Sequence, residues 1–80
     1  MKIRSLNFDD AEDLDEVVAV LTADEAAYIA VLLGGMNHIK AEEVMSGGAQ
    51  AQSSIYEALT GAVFNRLYDD GVRDYLAERS

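Results

Sequence analysis

The segment Lys2 to Phe8 mixes β-favouring and polar residues, and Glu16 to Leu21 is the run Glu-Val-Val-Ala-Val-Leu. Both predict strands, because branched side chains suit a pleated, half-buried surface. Between them Asp10 to Asp15 offers no Gly or Asn-Gly turn signal, so a wider solvated loop is expected to join an antiparallel pair. Two strands alone are marginal and leave both edges open to another chain. Lys2 and Arg4 near one edge either accompany such pairing into a dimer or discourage it.

Thr22-Ala23-Asp24-Glu25 has the form of a capping box, in which the threonine hydroxyl and the glutamate carboxylate each accept from the other residue's amide. Asp24 and Glu25 also place negative charge at the positive end of the helix dipole. On the helix that follows, Ala23, Ala27, Ala30 and Gly34 share one narrow side. Ile29, Leu32, Leu33 and Met36 share the opposite side, with Tyr28 at its edge. A helix apolar on two faces is expected to lie in the middle, between the strands and a later helix.

Gly34-Gly35 and Asn37 are expected to end this helix, and a brief helical piece through Ala41 to Met45 follows. Ser46-Gly47-Gly48 reads as a flexible breaker where insertions are tolerated best. Ser54 to Glu57 matches a second capping box, after which Ile55, Leu59, Val63 and Leu67 repeat with period four. Asp69-Asp70-Gly71 is turn chemistry, and Val72 to Arg79 then forms a short helix that packs Val72, Tyr75 and Leu76 back. The expected fold is a single α+β domain over residues 1–80. Its parts are a two-stranded antiparallel hairpin (about 2–8 and 16–21), two main helices (about 23–35 and 54–68) on which it packs, and a short C-terminal helix.

Composition narrows the chemistry. Among 80 residues there is one histidine, no cysteine and no proline, and half of the chain is apolar. Thiolate chemistry and disulfides are excluded, and no spacing suggests a metal site or a cofactor. His38, after a glycine pair, is expected to be a surface or helix-end group rather than a catalyst. Neither Gly34-Gly35 nor Gly47-Gly48 has the strand before it and the Lys-Ser or Lys-Thr after it that a phosphate loop needs. Adjacent carboxylates such as Glu42 and Glu43, or Asp69 and Asp70, point apart on a helix and form no acid/base pair. A non-enzymatic role is therefore expected. No apolar stretch follows the N-terminal Lys2 and Arg4, so neither a secretion signal nor a membrane span is expected, and the cytoplasm is the expected compartment.

The net charge is −9, which disfavours direct binding to nucleic acid or anionic membrane. Six carboxylates, Asp9, Asp10, Glu12, Asp13, Asp15 and Glu16, fall within eight residues. If that stretch is extended, Asp9, Asp13 and Asp15 form a negative rail that could meet the basic groove of a host protein and imitate a phosphate backbone. A solvated loop that keeps the protein soluble is the plainer alternative. An EF-hand frame fails, for want of a central glycine and a closing glutamate in register.

On a regular helix Phe64 and Tyr68 lie away from the Ile55, Leu59, Val63 and Leu67 stripe, as an i, i+4 pair able to anchor an interface. The terminal helix, or the segment around Met45, is the other candidate to cover them. A second function class places Arg66, Arg73 and Tyr68 of adjoining subunits around a small anionic (cyclic) nucleotide, since arginine forks suit phosphate and a tyrosine face suits a base. A homo-oligomer, first of all a dimer, fits both classes.

Leu21-Thr22, the helix start Ala23-Asp24-Glu25-Ala26 and the phrase Phe64-Asn65-Arg66-Leu67-Tyr68-Asp69-Asp70-Gly71 resemble the small acidic accessory proteins of bacteriophages, especially those of actinobacteria. The resemblance is one of style over most of the chain and carries no site residue. It implies roles such as blocking a host protein, disarming a defence system such as CRISPR, or sequestering a signalling nucleotide.

Overall fold

The computed structural model describes residues 1–79. Strands β1 (Lys2–Phe8) and β2 (Leu14–Val20) form an antiparallel hairpin. Helices α1 (Ala23–Gly34), α2 (His38–Val44) and α3 (Gly48–Leu59) follow. A π-helical turn (Thr60–Phe64) and a short α4 (Asn65–Leu67) continue α3, and α5 (Val72–Arg79) completes the described chain. The α+β class, the hairpin and the C-terminal helix are those expected from the sequence.

The start of α1 is the predicted capping box. The Glu25 amide donates to Thr22 Oγ1 at 3.1 Å and the Thr22 amide to Glu25 Oε1 at 2.9 Å. Asn37 caps α2 by accepting from the Lys40 amide at 2.7 Å. At the other end of α1, the buried Gln52 of α3 donates its amide to the carbonyls of Leu33 and Met36, at 2.8 and 2.5 Å. The Leu33 carbonyl also accepts from the Met36 amide at 3.2 Å, so Gln52 adds a second bond there and fastens α3 to the end of α1.

The expected start of the third helix is corrected. Instead of beginning near Ser54, α3 begins at Gly48, and Ser54 lies inside it. The cap comes from a neighbouring helix: Glu42 of α2 accepts from the amides of Gly47 at 3.3 Å and Ala49 at 2.7 Å. Gly47 adopts a left-handed φ of 84°, and buried Gly48 presses on the backbone of Ala41. Ser46-Gly47-Gly48 is thus a packed corner rather than a flexible breaker.

A second correction concerns the face of the long helix. The Thr60 hydroxyl bonds back to the Tyr56 carbonyl at 2.8 Å, and Gly61 follows without a Cβ. Both loosen the α-helical ladder, and the Asn65 amide reaches Thr60 O, five residues back. The extra residue turns Phe64 inward and Leu67 outward, so Phe64 is 1% exposed and Leu67 is 68% exposed. Phe64 packs with Ala26, Ala27 and Ala30 of α1, backed by Leu59, Val63, Tyr68, Val72 and Tyr75. The ring centroids of Phe64, Tyr68 and Tyr75 lie 5.4 to 6.5 Å apart, the range of favourable aromatic contact.

Of the small stripe of α1 Ala27 and Ala30 are buried while Ala23 and Gly34 are exposed, and the bulky side is not sandwiched: Leu32 and Tyr28 remain exposed and Ile29, Leu33 and Met36 are half-buried. The strands do not cover it, because they project as an arm, with every residue of the hairpin exposed except Ala19, which is half-buried. At the arm's base the Met1 amine pairs with Glu25.

Two carboxylates tie the helices together and make the fold acid-sensitive. Arg79 grips Asp24 with two bonds of 2.8 and 2.7 Å, and the Tyr75 hydroxyl donates to Asp24 at 2.5 Å. The Arg79 bonds, then the Tyr75 bond, hold the Asp24 carboxyl below its ordinary value. The Ala49 and Gly47 amides do the same for Glu42. A carboxyl depressed in the folded state contributes stability that is present above its unfolded pKa, about 4, and is lost as pH falls through the folded value. Melting temperature is therefore expected to drop below about pH 4. The drop should be shallower in an Asp24→Asn, Glu42→Gln double variant, as thermal melts from pH 7 to pH 2.5 would show.

Candidate docking face of the hairpin arm

The strand register contains two irregularities. Lys2 pairs with Val20, Ile3 with Ala19, Ser5 with Val18, Leu6 with Val17, Asn7 with Glu16 and Phe8 with Leu14. Arg4 is skipped on β1 and Asp15 on β2, as in β-bulges, where two residues stand against one. Successive pairs point to alternate faces, so the bulges reset the phase of each strand. Ile3, Leu6, Phe8, Leu14, Val17 and Ala19 consequently share one face, and all six are apolar. Lys2, Ser5, Asn7, Glu16, Val18 and Val20 share the other.

Strict alternation along β1 would have put Ile3 opposite to Leu6 and Phe8, and along β2 Leu14 opposite to Val17. The looped-out residues are both charged, and omitting Arg4 and Asp15 from the count restores the pattern. That was the signal in the sequence for this face. Its five large side chains, Ile3, Leu6, Phe8, Leu14 and Val17, are each 49 to 58% exposed. Among the described residues none covers them.

The acidic segment closes the arm. The expected rail is not formed, because the chain turns back on itself: the Asp9 amide donates to Asp13 O at 2.9 Å and the Glu12 amide to Asp9 O at 3.0 Å. The Asp9 carboxylate accepts from the amides of Ala11 and Asp13, at 2.9 and 3.0 Å, and Glu12 takes a left-handed φ of 66°. Asp9 is thus used in building the turn. Strand β2 begins at Leu14, two residues earlier than expected, so Asp15 and Glu16 belong to it, and Glu16 accepts from Asn7 at 3.1 Å. Asp10, Glu12 and Asp13 are exposed at the tip.

The other expected site residues fall elsewhere. Phe64 is the core and Tyr68 is half-buried against it, so the pair forms no exposed anchor: α5 covers it through Tyr75. Arg66 and Arg73 are exposed, while the Tyr68 ring that was to join them around a nucleotide is engaged with Phe64 and Tyr75. His38 is the exposed first residue of α2. Among the described residues no three His, Cys, Asp or Glu are grouped to hold a metal ion, and no helix is long and apolar enough to cross a membrane.

No family model matches the sequence, and no solved structure matches it. A curated relative, the 2-C-methyl-D-erythritol 4-phosphate cytidylyltransferase of Clostridium perfringens, is 30% identical over 74 residues. The match covers 90% of this chain and 33% of that enzyme, so the chain spans about a third of the relative's length.

Proposed function

We propose that this protein works by binding another protein rather than by catalysis, with the apolar hairpin face as the surface that docks and the acidic turn as the element that meets a basic surface. The observation that carries this reading is the open face of Ile3, Leu6, Phe8, Leu14 and Val17, set against a core of one phenylalanine and four alanines. Exposed contiguous apolar patches on otherwise charged proteins mark interaction sites. Carboxylates beside such a patch speed encounter with a cationic partner and weaken with salt.

The groups with displaced proton affinity support a binding role. Asp24, Glu25, Glu42, Tyr75 and Arg79 are occupied in helix caps and bridges between elements. Asp24 and Arg79 line one cleft with Ala27, Tyr28, Val31 and Leu76, but there they are bound to each other, and no histidine or cysteine lines it. Blocking a host protein, as the phage-like sequence style implies, is the activity that the acidic turn at the end of this surface would serve.

A capture experiment tests the reading. Immobilised wild-type protein is expected to retain a basic protein from host lysate, and a Leu6→Asp, Val17→Asp variant to retain none. Neutralising Asp10, Glu12 and Asp13 to amides should leave capture salt-insensitive and at least about tenfold weaker. Equal retention by all three proteins would refute the reading.

A further inference from the structure

We propose that the apolar hairpin face is the seam of a two-fold homodimer, and that a single copy does not hold this fold on its own. The inference rests on the reading of that face as a docking surface and names its occupant. The chain exposes 6202 Å². A compact monomer of 8.7 kDa would expose about 4,700 Å². The excess, about 1,500 Å², is more than the ~800 Å² that each partner gives to a standard protein interface. The radius of gyration, 14.5 Å, likewise exceeds the ~11.6 Å of a compact 80-residue domain.

Folding of one copy removes only about half of the surface an unfolded chain of this mass exposes, whereas even a 60-residue domain removes about 60%. Phe64 with Ala26, Ala27, Ala30 and Ala41 is a slight core. A chain so short of internal burial needs its partner whenever it is made, and another copy is the partner always present. The face also has the character of a permanent interface, since obligate homodimer seams are apolar and poor in charge.

Charge fixes the direction of pairing. Each hairpin is basic at its base, with Lys2 and Arg4, and strongly acidic at its tip, with Asp9, Asp10, Glu12 and Asp13. Two hairpins stacked face to face with tips together would crowd both acidic turns. A two-fold axis across the arm sets the tips at opposite ends and brings each near the other copy's Lys2 and Arg4. The inner faces then pack as in a small β-sandwich, roughly 10 Å apart. The dimer displays two acidic turns, leaving them free for a foreign basic partner.

Light scattering and sedimentation equilibrium of the purified protein test the inference. The expected mass is twice 8.7 kDa at low micromolar concentration, with a melting temperature that rises with protein concentration. Leu6→Asp on the apolar face should weaken self-association at least about 100-fold, and Ser5→Asp on the opposite face should leave the dimer intact. An 8.7 kDa species with a concentration-independent melt would overturn the homodimer. A dimer that Ser5→Asp dissociates and Leu6→Asp does not would overturn the assignment of the face. A stable monomer that still captures a lysate protein through Leu6 and Val17 defeats this inference while sparing the docking face. A stable monomer that captures nothing defeats both.

Discussion

Replacing Phe64 by alanine is expected to destabilise the protein by about 3–5 kcal/mol, enough to unfold a domain of this size, whereas Leu67→Ala should change stability by no more than about 0.5 kcal/mol. Phe64 is the large side chain most completely enclosed by the helices, and its removal leaves a cavity walled by Ala27 and Ala30, whose short side chains cannot collapse into it. Leu67 stands mostly in solvent. A regular α-helix through Thr60 to Leu67 would give the opposite ranking, with Leu67 inward on the Ile55, Leu59 and Val63 stripe. Urea unfolding of both variants at one fixed protein concentration decides between the two. A Leu67→Ala loss as large as that of Phe64→Ala would show that the π turn does not set the face of this helix in solution.

The same residues show why part of the molecule was legible and part was not. Capping at Thr22 is a local event among four consecutive residues, so the sequence announces it and the backbone obeys. The terminal helix after Gly71, whose φ is 62°, is equally local, whereas α1 ends at Gly34 as expected but with neither Gly34 nor Gly35 in a left-handed conformation. The start of α3 is different. Its cap is the carboxylate of Glu42, five to seven residues upstream on another helix, and a window around Ser54 holds no trace of it. The face of α3 depends on a π turn whose causes, the Thr60 back-bond and the bare Gly61, are visible, but whose effect is a phase shift that period counting assumes away.

The hairpin face was hidden in the same manner. Two bulges, at Arg4 and Asp15, convert two irregular strands into one continuous apolar surface, and a period-two count registers that surface as noise. The acidic segment was legible as a cluster of charge, but its shape was not, because Asp9 closes the turn with hydrogen bonds to Ala11 and Asp13. In each case composition indicated that apolar and acidic surface was left over, while the phase of the backbone decided where it went. The surplus lies on the arm, and the aromatic pair that had been expected to carry it is the core.

Gly48→Ala is expected to be among the most damaging single-methyl substitutions in the chain, although helix propensity alone predicts a gain of up to about 1 kcal/mol at an α-helical position. A Cβ at Gly48 would stand 2.0 Å from Ala41 O and 2.8 Å from Ala41 C, and both atoms belong to the backbone of α2. Relief requires α2 to move off α3. That movement would pull the Glu42 carboxylate away from the Gly47 and Ala49 amides and leave the first turn of α3 without its cap. Overpacking of this kind costs about 1–3 kcal/mol, and the lost cap about 1 kcal/mol more. Gly61→Ala is the matched control, because a Cβ there meets nothing within 4 Å. It should raise stability by about 0.5–1 kcal/mol through lost freedom in the unfolded chain, because the Thr60 back-bond to Tyr56, which does not involve Gly61, still holds the π turn. Chemical denaturation of the two variants side by side is therefore expected to move the midpoint in opposite directions. A Gly48→Ala midpoint at or above that of the wild type would mean that α2 and α3 are not in close contact at this corner.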